Sequence, residues 1–289
     1  MGAKFGPAGN SESFRKMGYK KTIQVPEYIV HMGLDAYEYQ CGRGVRISEE
    51  AAQEFGVQAR AKGVTLSLHS PYYISLSGIE EEKRLGSIEY ILQSARAAAA
   101  MGASRVVVHS GSCAKISRAQ ALELAKDTLT RAYRRLDEEG LGQIHLCPET
   151  MGKLNQLGTL EEVLELCTLD ERLIPCIDFG HLNARTFGGL NSFEGVKAVF
   201  DRMENVLGLD RMRHFHAHFS KIEYTQKGGE KCHLTFSDTV YGPDFEPVAQ
   251  MIVRKGASPT IICESAGTQA EDAATMKQMY AAALAAQNA

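Results

Sequence analysis

Eight short strand-like runs alternate with helix-like stretches along the 289 residues of this chain. Alternation of this kind is the pattern of parallel βαβ units, and eight units predict a closed barrel rather than an open sheet. Lys4-Phe5 opens the first strand and runs into the turn Gly6-Pro7-Ala8-Gly9, while Ala36-Tyr37-Glu38-Tyr39 alternates like a second. Helices are expected near Pro26 to Met32, from the hydroxyl cap Ser48 to the stop at Gly63, and over 80–101, 117–139, 159–168, 193–207, 244–255 and 268–286. Thr159 and Ser192 read as caps, and Gly102, Gly140 and Gly256 as stops. No Gly/Ser/Pro-rich linker or charge block divides the chain, and such barrels commonly run to about 250 residues. The expectation is α/β, a single-domain, parallel eight-stranded (β/α)8 TIM barrel over 1–289. One insertion, at about 217–244, has little helical pattern. Its segments Phe219–Tyr224 and Cys232–Phe236 flank Gly228-Gly229, as in a hairpin-like lid.

Six of these strand-like runs end in a metal-type ligand. Val64–Leu68 ends at His69, Arg105–Val108 at His109, and Ile144–Pro148 at Glu149. Leu173–Ile177 ends at Asp178, with His181 three residues on; the segment Arg213–Phe215 ends at His216; Thr260–Cys263 ends at Glu264. A parallel barrel brings all these C-terminal ends to one face. Imidazoles mixed with carboxylates suit zinc, manganese or iron. Buried carboxylates such as Glu149 and Glu264 are costly unless paired or bound to a cation. Their number predicts two or more ions with a bridging carboxylate. His214, His216 and His218 alternate, as if on one side of a strand. Of these, His216 is read as the ligand and His218 as a substrate or supporting group. His145 is read as structural and His31 as solvated.

A net charge of −3 gives no whole-chain attraction for nucleic acid or an anionic membrane. The seven cysteines form no CxxC pair, and Cys147, Cys176 and Cys263 sit in apolar runs as small buried hydrophobes. No run approaches the roughly 20 apolar residues of a membrane span, and the N-terminus lacks a signal-peptide pattern. The expectation is a soluble, cytoplasmic, monomeric protein with reduced thiols and no membrane partner.

At the ligand residues the chain resembles the endonuclease IV family within the xylose isomerase-like barrels. The motifs that carry the resemblance are Leu68–Leu76, Val108–Ser112, Pro148-Glu149-Thr150 with Gly158-Thr159, Cys176–His181, His216 with Ser220-Lys221, and Glu264. Together they cover roughly 60–265. The resemblance implies a zinc-dependent phosphodiesterase that cleaves DNA 5′ to abasic sites in base excision repair. It implies that His69, His109 and Glu149 hold one ion. Glu149 would bridge to a second ion held by Asp178, His216 and Glu264. His181 and His233 would belong to a third. Glu149, Glu264 and His109 would stand at the catalytic centre, with Tyr72, Lys221, His218 and Arg185 against the substrate.

The chain departs from the family in three places. Lys231 stands where the family has the third ion's aspartate, and Glu230 is one position out of register. The resemblance therefore implies two or three zinc ions, with Mn2+ or Fe2+ as other candidates. His218-Phe219 replaces the family's Asn-Asp, and Phe5–Asn10 only loosely resembles its first DNA-contacting loop.

Loops on the ligand face carry Arg43, Arg46, Lys115, Lys153, Arg185, Lys221, Lys227 and Lys231, partly offset by Glu223, Glu230 and Asp238. Such cations make a phosphate track only when clustered. Tyr72, Tyr73, Phe187 and Tyr224 offer side chains to fill the gap left by a missing base. The alternative is a divalent-metal sugar isomerase or epimerase on the same barrel. It would use Glu149 and Glu264 as the carboxylate pair, with His69 and Lys221 near a small sugar. A non-catalytic metal-binding relative is disfavoured by the full ligand set.

Overall fold

The computed structural model describes residues 2–287. Eight strands run parallel around a barrel: β1 (Lys4–Pro7), β2 (Ala36–Gln40), β3 (Thr65–His69), β4 (Arg105–Val108), β5 (His145–Pro148), β6 (Cys176–Asp178), β7 (His216–Phe219) and, beyond a hairpin, β10 (Thr260–Cys263). The hairpin is the antiparallel pair β8 (Ile222–Thr225) and β9 (Gly229–His233). Regular pairing forms two arcs, β2-β3-β4-β5 and β1-β10-β7-β6. Single parallel bridges, Ala8 to Glu38 and Glu149 to Cys176, join the arcs into a closed ring. At the first seam β1 lies so close to β2 that a Cβ on Gly6 would overlap the Ala36 carbonyl.

Around the ring lie α1 (Glu12–Lys16), α2 (Val25–His31), α3 (Glu49–Ala61), α4 (Glu81–Ala100), α5 (Arg118–Glu138), α6 (Leu160–Cys167), α7 (Phe179–Arg185), α8 (Phe193–Leu207), α9 (Leu209–Arg213), α10 (Glu246–Lys255) and α11 (Gln269–Gln287). The long helices match the expected spans because their ends are chemically marked. Ser48, Thr159 and Ser192 each accept a backbone N–H at a helix start. Gly63, Gly102, Gly140 and Gly256 turn the chain out with positive φ. Cys147, Cys176 and Cys263 are buried as expected.

Three short helices were not read from the sequence. The helix α7 begins directly at the end of β6, with Asp178 as its cap. The helix α1 follows the β1 turn. The helix α9 overturns the reading of Arg213–Phe215 as a strand: the chain is helical through Arg213, His214 is its exposed C-cap, and β7 starts at His216. Arg211 anchors this turn to the carbonyls of Cys167 and Leu173. None of the described helices is long and apolar enough to cross a membrane.

Candidate metal centre

The C-terminal ends of the barrel strands converge on a cavity of about 350 Å³ lined by His69, His109, Glu149, His181, Glu230, His233 and Glu264. Larger depressions of about 570 and 640 Å³ lie between α10 and α11 and beside α3 and α4, away from these groups. Glu149 sits at the middle of the centre. Its Oε2 lies 3.3 Å from His69 Nε2 and 3.1 Å from His109 Nε2, while its Oε1 lies 3.0 Å from His218 Nδ1. Asp178 ends β6 and Glu264 follows β10. With Glu149 and His218 they bring four donor atoms within 4.8 Å of one another.

Backbone and side-chain acceptors orient the imidazoles. His69 Nδ1 meets Ser70 O at 2.8 Å, His181 Nδ1 meets Thr150 O at 3.0 Å, and His233 Nδ1 meets Ser220 Oγ at 2.8 Å. His69 and His233 then turn Nε2 inward, the arrangement by which outer partners fix a ligand's tautomer, whereas His181 faces Asp178 and Glu149 with Nδ1 and Glu230 with Nε2. Asp178 uses Oδ1 to accept the His181 backbone N–H at 2.6 Å, while its buried Oδ2, 3.3 Å from His181 Nδ1, has no hydrogen bond among the described residues. An unsatisfied, fully buried carboxylate oxygen facing imidazoles fits a cation.

The electrostatics agree. Burial raises the Glu149 carboxyl, but His218, His109 and His181 outweigh it and hold the group well below its ordinary range. Burial lowers the His69 imidazole, yet Glu149 prevails and pushes it up to about 9. For His181, burial is likewise outweighed by Asp178 and Glu149. Asp178 itself is raised, by burial and by the neighbouring Glu264 and Glu149. Protons here balance negative charge that divalent ions would balance on binding, with release of those protons.

The third donor group is His181, Glu230 and His233. In an unbroken strand, 231 and 233 share a face. Here Cys232 pairs with Glu223 but Glu230 pairs with Tyr224, so β9 carries one extra residue, Lys231, opposite the Glu223–Tyr224 step. This bulge turns Glu230 inward, to 3.5 Å from His181 Nε2. Lys231 is turned out, and its Nζ meets Glu223 at 2.6 Å.

Several sequence expectations are corrected. His216 lies one pleat below the centre, fully buried, with Nε2 3.0 Å from Glu38 Oε2. Burial lowers its pKa to about 4 against the pull of Glu38. Among the described residues its only potential ligand group is an enclosed one with Cys176 and His218. His218, two residues later and at the level of Asp178 in the ladder, is the β7 imidazole that stands among Glu149, Asp178 and Glu264. Lys221 does not line the cavity: its Nζ donates to Asp238 O at 2.7 Å and pairs with Asp244. Arg185 also faces protein, donating to the carbonyls of Met151, Lys153 and Gln156. Tyr72 does line the mouth, beside Lys153 and Gln156. His145 Nδ1 donates to Arg172 O at 2.8 Å within the fold, and His31 is exposed. Glu38, fully buried on β2, is a site neighbour with no role expected from the sequence; its signal there is a charged residue within a buried alternating run.

A family model described as xylose isomerase-like TIM barrel matches residues 26–284. An uncharacterized protein of Methanocaldococcus jannaschii is 33% identical, over 81% of this chain and 83% of its own length. A probable endonuclease 4 of Enterococcus faecalis is 28% identical, over 60% of this chain and 57% of that protein. Among solved structures, a D-tagatose 3-epimerase-like protein superposes with a TM-score of 0.73 at 20% identity, covering 99% of this chain and 100% of that one. The chain belongs to the xylose isomerase-like TIM barrel family and, within it, shares sequence with the endonuclease 4 proteins.

Proposed function

We propose that this protein is a zinc-dependent phosphodiesterase that cleaves DNA on the 5′ side of abasic sites. The observation that carries the reading is the pair of adjoining donor groups. Glu149 is shared by the His69/His109 side and the Asp178/His218/Glu264 side, and the bulge adds His181, Glu230 and His233 alongside. An epimerase on this barrel needs a single ion, so three neighbouring groups favour multi-ion phosphate chemistry. Likeness to an epimerase-like structure at 20% identity concerns the fold, which hosts both chemistries.

His69, His109 and Glu149 would hold the first ion; Glu149, Asp178, His218 and Glu264 the second; His181, Glu230 and His233 the third. Bound together, such ions lower the pKa of a water toward neutrality and neutralise phosphate oxygens. The chain's own residues do the rest. Glu149 spans both groups and sets their separation. Lys153, exposed on the cavity rim, offers a cation to the flanking phosphate. Tyr72, 56% exposed and packed against Tyr73, presents a ring at the mouth to occupy the space of a missing base. Arg43, Arg46, Lys115 and Lys227 are exposed on loops at the same end of the barrel and extend the positive track.

The test is incision of a duplex oligonucleotide carrying one tetrahydrofuran abasic analogue, with zinc-loaded and EDTA-stripped protein. Zinc-dependent cleavage 5′ to the lesion supports the reading. No incision with zinc bound refutes it and turns the question to ketose substrates.

A further inference from the structure

Beneath the centre lies a fully buried carboxylate that the reaction does not use. Glu38 sits on β2 at the seam with β1, bridged to Ala8, and points into the barrel. The neighbouring apolar groups Val107, Cys147 and Cys176 fill the interior without any charge. A buried carboxylate persists only when donors surround it. Ser67 Oγ donates to its Oε2 at 2.8 Å, Gln40 Nε2 donates to its Oε1 at 3.1 Å, and His216 Nε2 lies 3.0 Å from Oε2. The remaining neighbour is His218, whose Nε2 lies 3.0 Å from Oε1. The ring is turned off the line of a well-aligned hydrogen bond, and Nε2 has no better partner.

His218 therefore bridges the two seams of the barrel, with Nε2 toward Glu38 and Nδ1 toward Glu149. His181 Nδ1 meets Thr150 O and also faces Asp178 and Glu149, at 3.3 and 3.4 Å. His69 and His233 instead rest their Nδ1 on neutral oxygens and turn Nε2 to the centre. His218 does the reverse, and its outer partner is a carboxylate. The other group beside the ring is the buried thiol of Cys176. We propose that Glu38 is a positioning residue that commits His218 to binding metal through Nδ1, by holding the proton on Nε2. His216 and Ser67 in turn hold Glu38. This inference rests on the reading of His218 as a ligand of the second ion. It gives the repeated histidines of β7 separate tasks, His218 at the metal and His216 beneath it.

Zinc affinity and stoichiometry, measured by competition with a chromophoric chelator on metal-stripped protein, test the proposal. Glu38→Gln is expected to weaken one ion about 10–100-fold while the others bind as before. His218→Ala is expected to lose that ion, and Glu38→Gln added to it is expected to change nothing more. Tight binding of every ion by Glu38→Gln, beside loss of one in His218→Ala, overturns the Glu38 proposal alone. Losses that multiply in the double variant also overturn it, since Glu38 would then act by another route. Full zinc in His218→Ala overturns the ligand reading itself, and the proposal with it. Nitrogen-15 spectra of zinc-loaded wild-type protein make the test independent of variant folding. One zinc-bound imidazole coordinated through Nδ1 with a proton on Nε2 is expected, and its absence overturns the proposal.

Discussion

Glu230 meets His181 across the barrel mouth, Oε2 to Nε2 3.5 Å, from a strand whose simple alternation would give that place to Lys231. One extra residue in β9 exchanges the two. Glu230→Ala should therefore lose about one equivalent of zinc, whereas Lys231→Asp should leave stoichiometry unchanged, because position 231 faces Glu223 outside the cavity. Atomic emission after dialysis reads both. Zinc gained or lost in Lys231→Asp, with none lost in Glu230→Ala, would reverse the assignment.

Among the described residues, Glu149 is the only carboxylate in contact with His69, His109, His181 and His218 together. Glu149→Gln keeps its shape but removes the shared anion. Bound zinc should fall and incision should become undetectable. A variant with normal zinc and full activity would remove Glu149 from the centre.

Legibility in the sequence followed the range of the forces involved. The helix α5 was readable to within about a residue, because its periodicity and its Ser117 cap are local. That the side chains at the ends of β3, β4, β5, β6 and β10 converge was readable because a strand's end is a local property and the barrel gathers those ends. His216 was misread because a short polar helix precedes it, held by Arg211 contacts to Cys167 and Leu173 far back in the chain. Glu38 gained meaning only from Ser67 on β3 and His216 and His218 on β7. Arg185 and Lys221 looked like substrate cations, since nothing local reveals that backbone carbonyls already occupy them.

Arg185 nonetheless matters to the site. Its guanidinium, with that of Arg118, clasps the carbonyls of the loop that carries Met151, Lys153 and Gln156 into the cavity. Arg185→Ala should cost about 1–3 kcal/mol of stability and lower kcat/KM about tenfold or more through misplacement of the rim. Arg185→Lys should recover only part, because an ammonium lacks the planar fork. Chemical unfolding and steady-state kinetics measure both effects. Unchanged kinetics in Arg185→Ala would show that the loop keeps its shape without the clasp.

Glu162 fastens the far end of the same loop. Its Oε2 accepts the N–H groups of Gly158 at 2.8 Å and Thr159 at 2.9 Å, and Arg118 grips both oxygens. Burial raises its pKa, but Arg118 and the two N–H groups prevail and hold the carboxyl below its ordinary range. With the folded pKa below the unfolded one, the unfolded chain takes up the proton first as pH falls. The stabilisation is thus complete above the unfolded value, about 4.3, and is lost as pH falls through the folded value. Glu162→Gln should cost about 1–3 kcal/mol at neutral pH, and the gap from wild type should narrow in acid. Urea unfolding across this range measures the gap. A constant gap would mean that Glu162 acts through its shape and hydrogen bonds, with its charge contributing nothing to the loop.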